Sequence, residues 1–228
     1  MPSKGDIITL DSKLYRVLKV NGTVAEVLAM YNASRSIEFD SGSGRDDLYA
    51  GKSIDTYCNE TFYGRLSSTM KSAIIDKTFT QDAWKGGVVV PTEAHYTGTY
   101  VDDGDDSTYY LTLANAAYGE SITRHCYCLS VQDVLDYLDA TTSMSASDTT
   151  LTHANIIEMF WGSSADRMSS WLRSACSTDP DDFIDYEAFV VTDSHGDLFK
   201  DYVDSTLAVR PAFQIDLSKI EWTPVGDN

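Results

Sequence analysis

The stretch of sequence that decides the fold opens with Trp171-Leu172-Arg173-Ser174 and closes with Val209-Arg210-Pro211-Ala212-Phe213. A Trp beside an Arg at one end and an Arg-Pro pair at the other predict two strands that meet in a core. We expect each guanidinium to be tied to carboxylates or backbone carbonyls, because a buried charge needs such partners. The segment between the two motifs is where a binding surface is expected.

The segment inside this stretch has the pattern of a hairpin. Two apolar runs, residues 188–192 and 198–203, flank the turn-forming residues Asp193-Ser194-His195-Gly196. Residues 207–215 are predicted as the strand that closes the sheet, so that the closing strands span residues 171–216. The loop at residues 176–185 is the most acidic exposed stretch.

The amino-terminal residues predict a β-meander over residues 5–31. Three β-branched and aliphatic runs, at 7–10, 14–20 and 24–30, are separated by Asp11-Ser12-Lys13 and by Asn21-Gly22, a strong hairpin signal. Residues 31–51 show no periodicity and are predicted as a surface loop.

Three stretches have helical spacing of apolar residues, at about 53–76, 130–139 and 152–161. Ser53 and Ser67 are predicted to cap two helices in the first stretch, while Ser130 and Thr152 cap the other two and Gly162 ends the last. Residues 79–84 are predicted as a connector, and residues 88–90 and 126–129 as strands. The pattern predicts an α+β fold with short mixed or antiparallel sheets, flanking helices and long loops, in a single domain of residues 1–228.

Composition excludes several kinds of partner. The net charge of -18 argues against nucleic acid and against anionic membrane surfaces. No run approaches the ~18 apolar residues of a membrane span, and no apolar stretch follows the first residues, so we expect no membrane insertion and no secretory signal. We therefore expect synthesis in the cytoplasm. The four cysteines form no CxxC pair and are interpreted as reduced thiols.

We find no catalytic motif in the sequence. His95, His125, His153 and His195 lie outside any recognisable nucleophile context, and there is no phosphate-binding glycine loop. No catalytic residue is therefore predicted, although an Asp pair acting as acid and base in a polysaccharide hydrolase stays open, because its members need be near only in space.

One acidic turn raises the question of a metal. A calcium site is a candidate at four carboxylates around Gly104: Asp102, Asp103, Asp105 and Asp106. Their spacing is not the alternate pattern of an EF-hand loop, so a solvated acidic turn is the favoured interpretation. No cofactor is predicted.

The order of the motifs resembles a family of bacterial and phage-encoded proteins that share a domain of unknown function. The resemblance covers residues 14–215. It rests on six motifs: Phe62-Tyr63-Gly64-Arg65-Leu66-Ser67, Met70-Lys71-x-Ala73-Ile74, Leu129-Ser130-Val131-Gln132-Asp133-Val134, Met159-Phe160-Trp161-Gly162, and the two motifs at residues 171–174 and 209–213. The closing motifs are also similar to those of the formylglycine-generating-enzyme subgroup of C-type lectin-like folds. Variable proteins of diversity-generating retroelements, including phage receptor-binding proteins, share that ending.

The resemblance implies a C-type lectin-like fold in which Trp171, Arg173, Arg210 and Pro211 are core positions. It also implies that ligand contacts lie between them, at Asp179, Asp181, Asp182, Tyr186, His195, Asp197, Lys200, Tyr202 and Asp204. Ala208 stands where the family pattern has Gly. The copper-binding cysteine pair of the enzymes and the calcium-ligating triplets of calcium-dependent lectins have no counterpart.

These observations favour a non-catalytic binding module on a phage or prophage virion, which recognises a host cell-surface protein or glycan through loops at residues 176–205. Tyr and Asp together suit such a surface, because Tyr contributes rigid amphipathic area and Asp contributes hydrogen bonds. The alternative is a decoration or tail subunit whose partners are other virion proteins. Assembly into a homo-oligomer is left open.

Overall fold

A computed structural model of the chain describes residues 1–41, 49–80, 83–84, 100–101, 108–109, 121–139, 153–176, 187–193, 196 and 198–225. In chain order, the strands are β1 (Ile7–Leu10), β2 (Lys13–Asn21), β3 (Val24–Ala29), β4 (Ser34–Glu38), β5 (Ile74–Ile75), β6 (Lys77–Thr80), β7 (Ala83–Trp84), β8 (Tyr100–Val101), β9 (Thr108–Tyr109), β10 (Ser121–Arg124), β11 (Ser170–Cys176), β12 (Glu187–Val191), β13 (Leu198–Tyr202), β14 (Thr206–Val209), β15 (Ala212–Asp216) and β16 (Thr223–Pro224).

The first sheet has the order β16-β1-β2-β3-β15-β5, and all its neighbouring strands are antiparallel. Its centre is the meander that the sequence predicts. The β1–β2 turn places both Asp11 (φ 50°) and Ser12 (φ 64°) in the left-handed region. Turns of this kind match the twist of the two strands they join, which explains a conformation that non-glycine residues rarely adopt.

The second sheet has the order β13-β12-β11-β14-β4 and is mixed. Strand β11 is antiparallel to β12 but parallel to β14, and β7 also pairs with β11 in parallel. Two further pairs, β10 with β6 and β8 with β9, are antiparallel. The fold is therefore α+β with antiparallel and mixed sheets, as the sequence predicts.

The helical segments are α1 (Ser53–Thr56), a π-helix (Tyr57–Phe62), α2 (Tyr63–Arg65), α3 (Ser68–Ala73), α4 (Val131–Tyr137) and α5 (His153–Trp161). Ser130 and Asp133 form the capping box of α4. Ser67 caps α3, because its hydroxyl accepts a hydrogen bond of 3.2 Å from the Met70 amide. Among the described residues, no helix is long and apolar enough to cross a bilayer.

The predicted cap at Ser53 is wrong. Lys52 occupies the N-cap position and makes no side-chain cap bond, while Ser53 is already helical. The Ser53 hydroxyl instead accepts a hydrogen bond of 3.0 Å from the Ser41 amide. The helical stretch predicted to reach residue 76 ends at Ala73, since residues 74–75 pair with β15.

Three predicted irregular or strand segments also differ from the structure. Residues 31–51 are not a loop throughout, because β4 forms there and Phe39 and Tyr49 are buried. Residues 79–84 are not a simple connector, since β6 includes residues 79–80 and β7 includes residues 83–84. The strand predicted at residues 126–129 reduces to a single bridge between Tyr127 and Ala212. In each place the pairing partner is far along the chain and leaves no local periodicity.

The core fills the space between the sheets and the helices with large aromatic side chains. Phe213 on β15 meets Tyr15 on β2 edge to face at 5.3 Å, and Trp171 on β11 meets Phe39 at 5.5 Å in the same way. The Trp171 indole also donates a hydrogen bond of 2.8 Å to the Ile37 carbonyl. Each of these contacts packs side chains of one sheet, and the buried residues of both sheets belong to one continuous hydrophobic core.

At Arg210-Pro211 the chain passes from the second sheet into the first. Val209 at the end of β14 pairs with Ser34 in the second sheet, whereas Ala212 at the start of β15 pairs with Leu28 in the first. Residues 207–215 are therefore two strands and not the single closing strand predicted. Proline suits this junction, because it lacks the amide hydrogen that an unbroken strand needs.

Candidate functional site

Arg210 lies at the junction between the sheets and is 2% exposed. Its guanidinium donates hydrogen bonds to the carbonyls of Phe160 (2.9 Å), Asp166 (3.4 Å) and Ala29 (3.5 Å), and it lies 5.5 Å from the centre of the Trp161 ring. Burial lowers the pKa of Arg210 to about 10. One cation thus ties β3, α5 and the segment after α5 to the carboxyl-terminal strands.

Arg173 on β11 makes the corresponding contacts at the other end of the stretch, and its side chain is 9% exposed. The guanidinium donates hydrogen bonds to the Cys128 carbonyl (2.9 Å) and to the Asp133 carboxylate, and it lies 4.2 Å from the centre of the Phe79 ring. Burial alone would raise the pKa of Asp133, but Arg173 and Lys77 hold it well below its usual range. Asp133 is therefore an anion that joins the first turn of α4 to β11.

The charges around Asp133 extend across the first sheet. The Lys77 ammonium contacts Glu26 at 2.7 Å and Asp133 at 3.4 Å, and it lies 4.8 Å from the centre of the Tyr127 ring. The Tyr127 hydroxyl donates a hydrogen bond of 2.6 Å to Glu26. Lys77, Glu26 and Asp133 line a cleft of about 1030 Å³ beside α4. Partly buried ionisable groups in a cleft are common at functional sites.

The β12–β13 hairpin lies beside β11 in the second sheet. Its strands pair from Val191 with Leu198 to Glu187 with Tyr202, and residues 188–191 are buried. At the end of the hairpin opposite the turn, Tyr202 is 57% exposed. Of the exposed large apolar residues in the described part of the chain, Tyr202 is the aromatic one. The Asp201 carboxylate accepts hydrogen bonds from the Tyr202 amide (2.8 Å) and the Ser205 hydroxyl (2.7 Å), which stabilises the turn after β13.

Of the predicted ligand contacts, the structure brings together Tyr202 and Asp204, both exposed at the end of β13. The backbone of Lys200 lies in the same strand. The remaining predicted contacts lie outside the described residues: Asp179, Asp181, Asp182, Tyr186, His195 and Asp197.

The four predicted core positions lie in or beside the packed interior. Trp171, Arg210 and Pro211 are buried, and Arg173 is half-buried as a whole residue. The candidate calcium ligands Asp102, Asp103, Asp105 and Asp106 lie outside the described residues. In the part of the chain that is described, no three His, Cys, Asp or Glu side chains are grouped to hold a metal ion.

Sequence reasoning missed a polar pocket of about 370 Å³ beside the π-helix. His125 contacts the Asp76 carboxylate through Nδ1 and stacks on Tyr63 at 4.2 Å between ring centres. Asn59, in the π-helix, accepts a hydrogen bond of 3.0 Å from the His125 amide and donates one of 2.8 Å to the Cys126 carbonyl. Local sequence carries no signal for this pocket, because its walls come from three separate segments, at residues 51–60, 76 and 123–125.

The thiols near this pocket are internal. Cys58, Cys126 and Cys128 are buried and free, and the Cys58 and Cys128 sulfurs lie 3.8 Å apart. Burial raises the pKa of the Cys58 and Cys126 thiols, so both stay protonated and unreactive at neutral pH.

Comparison with known proteins identifies one family. The family described as Domain of unknown function (DUF6273) matches residues 36–217, a region that includes the end of β4, both arginine segments and the hairpin. No curated protein matches the chain. No solved structure matches it.

Proposed function

The chain belongs to this DUF6273 family, and we propose that it acts as a non-catalytic ligand-binding module. In this proposal the loops at residues 176–205 contact a cell-surface protein or glycan, and the two sheets form a rigid C-type lectin-like scaffold beneath them. The place of action is the surface of a phage or prophage virion. The order of the motifs along the sequence supports both the fold and the location.

One observation carries the proposal: an exposed aromatic residue lies at the end of a hairpin whose strands are held by buried contacts. Tyr202 is 57% exposed at the end of β13, while Phe189 and Val190 on the paired strand are buried. Next along the sheet, β11 is held by the Arg173 contacts and by the Trp171 hydrogen bond. A surface ordered before binding loses less conformational entropy when the ligand arrives.

The negative charge of the protein limits the target surfaces that it can bind. The chain carries a net charge of -18, and Asp204 lies exposed close to Tyr202. Tyrosine contributes apolar area together with a hydroxyl, and carboxylates accept hydrogen bonds, so the pair suits a neutral or basic patch. A strongly anionic surface would be repelled.

The test compares cell binding by the wild type and by two matched variants. Tyr202→Ala removes the exposed aromatic ring, and Leu14→Ala removes an exposed apolar side chain of the first sheet, 45% exposed, as the control. Purified, fluorescently labelled proteins are titrated onto intact bacterial cells and counted by flow cytometry. We expect Tyr202→Ala to weaken binding about tenfold or more with an unchanged melting temperature, because exposed Tyr residues are frequent hot spots.

Two results would overturn the proposal. One is the absence of saturable cell binding by the wild type, and the other is equal binding by Tyr202→Ala and wild type. If the protein is instead retained only by virion proteins in a pull-down, the chain is a structural subunit. Release of new reducing ends from capsular or cell-wall glycans would show that it is a hydrolase.

A further inference from the structure

A second cleft lies on the first sheet, at the edge formed by β1 and β16. It occupies about 720 Å³ between the β1–β2 turn, the start of α3 and residues 218–223. We name it the Trp222 cleft after the aromatic residue in its wall. The cleft belongs to a different sheet from the β12–β13 hairpin, and none of the described residues between 176 and 205 lines it.

Hydroxyl groups dominate the wall of the Trp222 cleft. Its hydroxyl-bearing residues are Thr9, Ser12, Ser67, Thr69, Ser218 and Thr223. Two of these hydroxyls are used internally, since Ser67 caps α3 and Ser218 donates to Asp216 at 2.7 Å. In the described part of the chain, the side-chain hydroxyls of Thr9, Ser12, Thr69 and Thr223 make no hydrogen bond. Each can both donate to and accept from a ligand.

Trp222 supplies an aromatic surface beside these hydroxyls. It is half-buried and packs partly against the core, whereas Trp161 and Trp171 are each 1% exposed. An indole anchored on one side and open on the other offers an apolar face together with an N–H donor. A ligand that fits must therefore combine an apolar face with many hydroxyl groups.

The charged groups of the cleft exclude anionic ligands. Asp11 and Glu221 are exposed carboxylates in its wall, while the Lys219 ammonium is already paired with Asp216 at 3.5 Å. A phosphate, sulfate or uronic acid would be repelled by these carboxylates. A neutral ligand avoids that repulsion, and its hydroxyls can donate hydrogen bonds to them.

We infer that the Trp222 cleft binds a neutral oligosaccharide. A pyranose ring has an apolar face of C–H groups, which suits Trp222, and a rim of hydroxyls, which suits Thr9, Ser12 and Asp11. The volume of about 720 Å³ is within the usual range for small-molecule sites. The open form of the cleft allows a short chain to extend beyond it.

The binding test uses neutral tetrasaccharides as probes. Maltotetraose, cellotetraose, mannotetraose and chitotetraose are titrated separately into the full chain up to about 10 mM, with isothermal calorimetry and intrinsic tryptophan fluorescence as readouts. A heparin-derived tetrasaccharide serves as the anionic comparison. We expect at least one neutral probe to bind with a change in fluorescence, and the anionic probe to bind more weakly.

Variants then place the ligand in the cleft. Trp222→Ala should abolish binding, and Trp222→Phe should retain part of it because an aromatic face remains. Ser12→Gly removes a hydroxyl and also relieves the left-handed backbone at φ 64°. It should raise the melting temperature by about 2–4 °C while weakening binding. A purely structural role for Ser12 would not move stability and affinity in opposite directions.

The inference fails if no neutral probe binds, if Trp222→Ala and Trp222→Phe both bind as the wild type does, or if the heparin fragment binds more tightly. Tyr202→Ala should bind the same saccharide as strongly as the wild type. Loss of cell binding in Tyr202→Ala with intact saccharide binding separates the two sites, so either proposal can fail without the other.

Discussion

Replacing Arg173 by Met tests the ion pair beneath the hairpin. Methionine keeps most of the side-chain volume beside Phe79 but removes the positive charge. The Asp133 carboxylate then loses its guanidinium and keeps the Lys77 ammonium at 3.4 Å and the Ser130 amide at 2.8 Å. Breaking a buried pair costs ~3–5 kcal/mol when no partner remains. Because two partners remain here, we expect a loss of about 3 kcal/mol in the free energy of unfolding.

A double-mutant cycle separates the pair from its surroundings. Asp133→Asn should cost about as much as Arg173→Met, since it leaves the guanidinium with the Cys128 carbonyl and the Phe79 and Tyr127 rings but without a carboxylate. In the double variant neither charge is left buried alone. We therefore expect the double variant to lose ~2 kcal/mol less than the sum of the two single losses.

Urea denaturation followed by circular dichroism measures all three variants. Arg35→Met is the control, because the Arg35–Asp166 pair is more than half exposed on both sides and should contribute less than ~0.5 kcal/mol. Equal losses in Arg35→Met and Arg173→Met would refute the reasoning. So would strict additivity in the cycle.

The Arg173–Asp133 ion pair also predicts that the stability of the protein depends on pH in the acidic range. The pKa of Asp133 is held below its unfolded value near 3.8, so its contribution to stability is present above that pH and is lost as the pH falls below it. In Asp133→Asn, the loss of stability that follows protonation of Asp133 should disappear. The free energy of unfolding between about pH 5 and pH 2 should then change less steeply than in the wild type.

Three further predictions concern other parts of the core. Arg210→Ala should cost about 3 kcal/mol by urea denaturation, because buried carbonyls lose their donor and Trp161 loses its cation; a loss below ~1 kcal/mol would contradict this. Gly162→Ala should lower the melting temperature, since its φ is 53° and a Cβ would meet a guanidinium nitrogen at 3.1 Å. Burial raises the pKa of Tyr49 and Tyr127, so stability should fall as the pH rises above about 10; phenolate absorbance should then increase together with unfolding, and ionisation without unfolding would argue against it.

Local sequence predicts the elements that are stabilised by their own residues. The meander β1–β3 follows from alternating apolar residues and turn-forming pairs, and α4 follows from Ser130 and Asp133 three positions apart. The β12–β13 hairpin follows from two apolar runs around a short turn. In each case the residues that make the structure are neighbours along the chain.

Elements made by distant partners escape such prediction. Strand β4 exists because β14 pairs with it, although its residues show no alternation. The π-helix at Tyr57–Phe62 has no signal in the local sequence. Its Asn59 side chain forms hydrogen bonds with residues 125–126, which are distant along the chain. The pocket at His125 and the Trp222 cleft likewise draw their walls from separate segments, so neither can be found from a motif.

The sequence alone was enough to predict that two arginine-bearing motifs near the carboxyl end lie in or beside strands and need partners, because burying a guanidinium without hydrogen bonds is too costly. The partners themselves follow from the folded chain. Arg173 takes Asp133, 40 residues away, and Arg210 takes the carbonyls of Phe160 and Ala29. Spacing along the chain carries no information about which segments pack together, since that depends on how both sheets and the helices share one core.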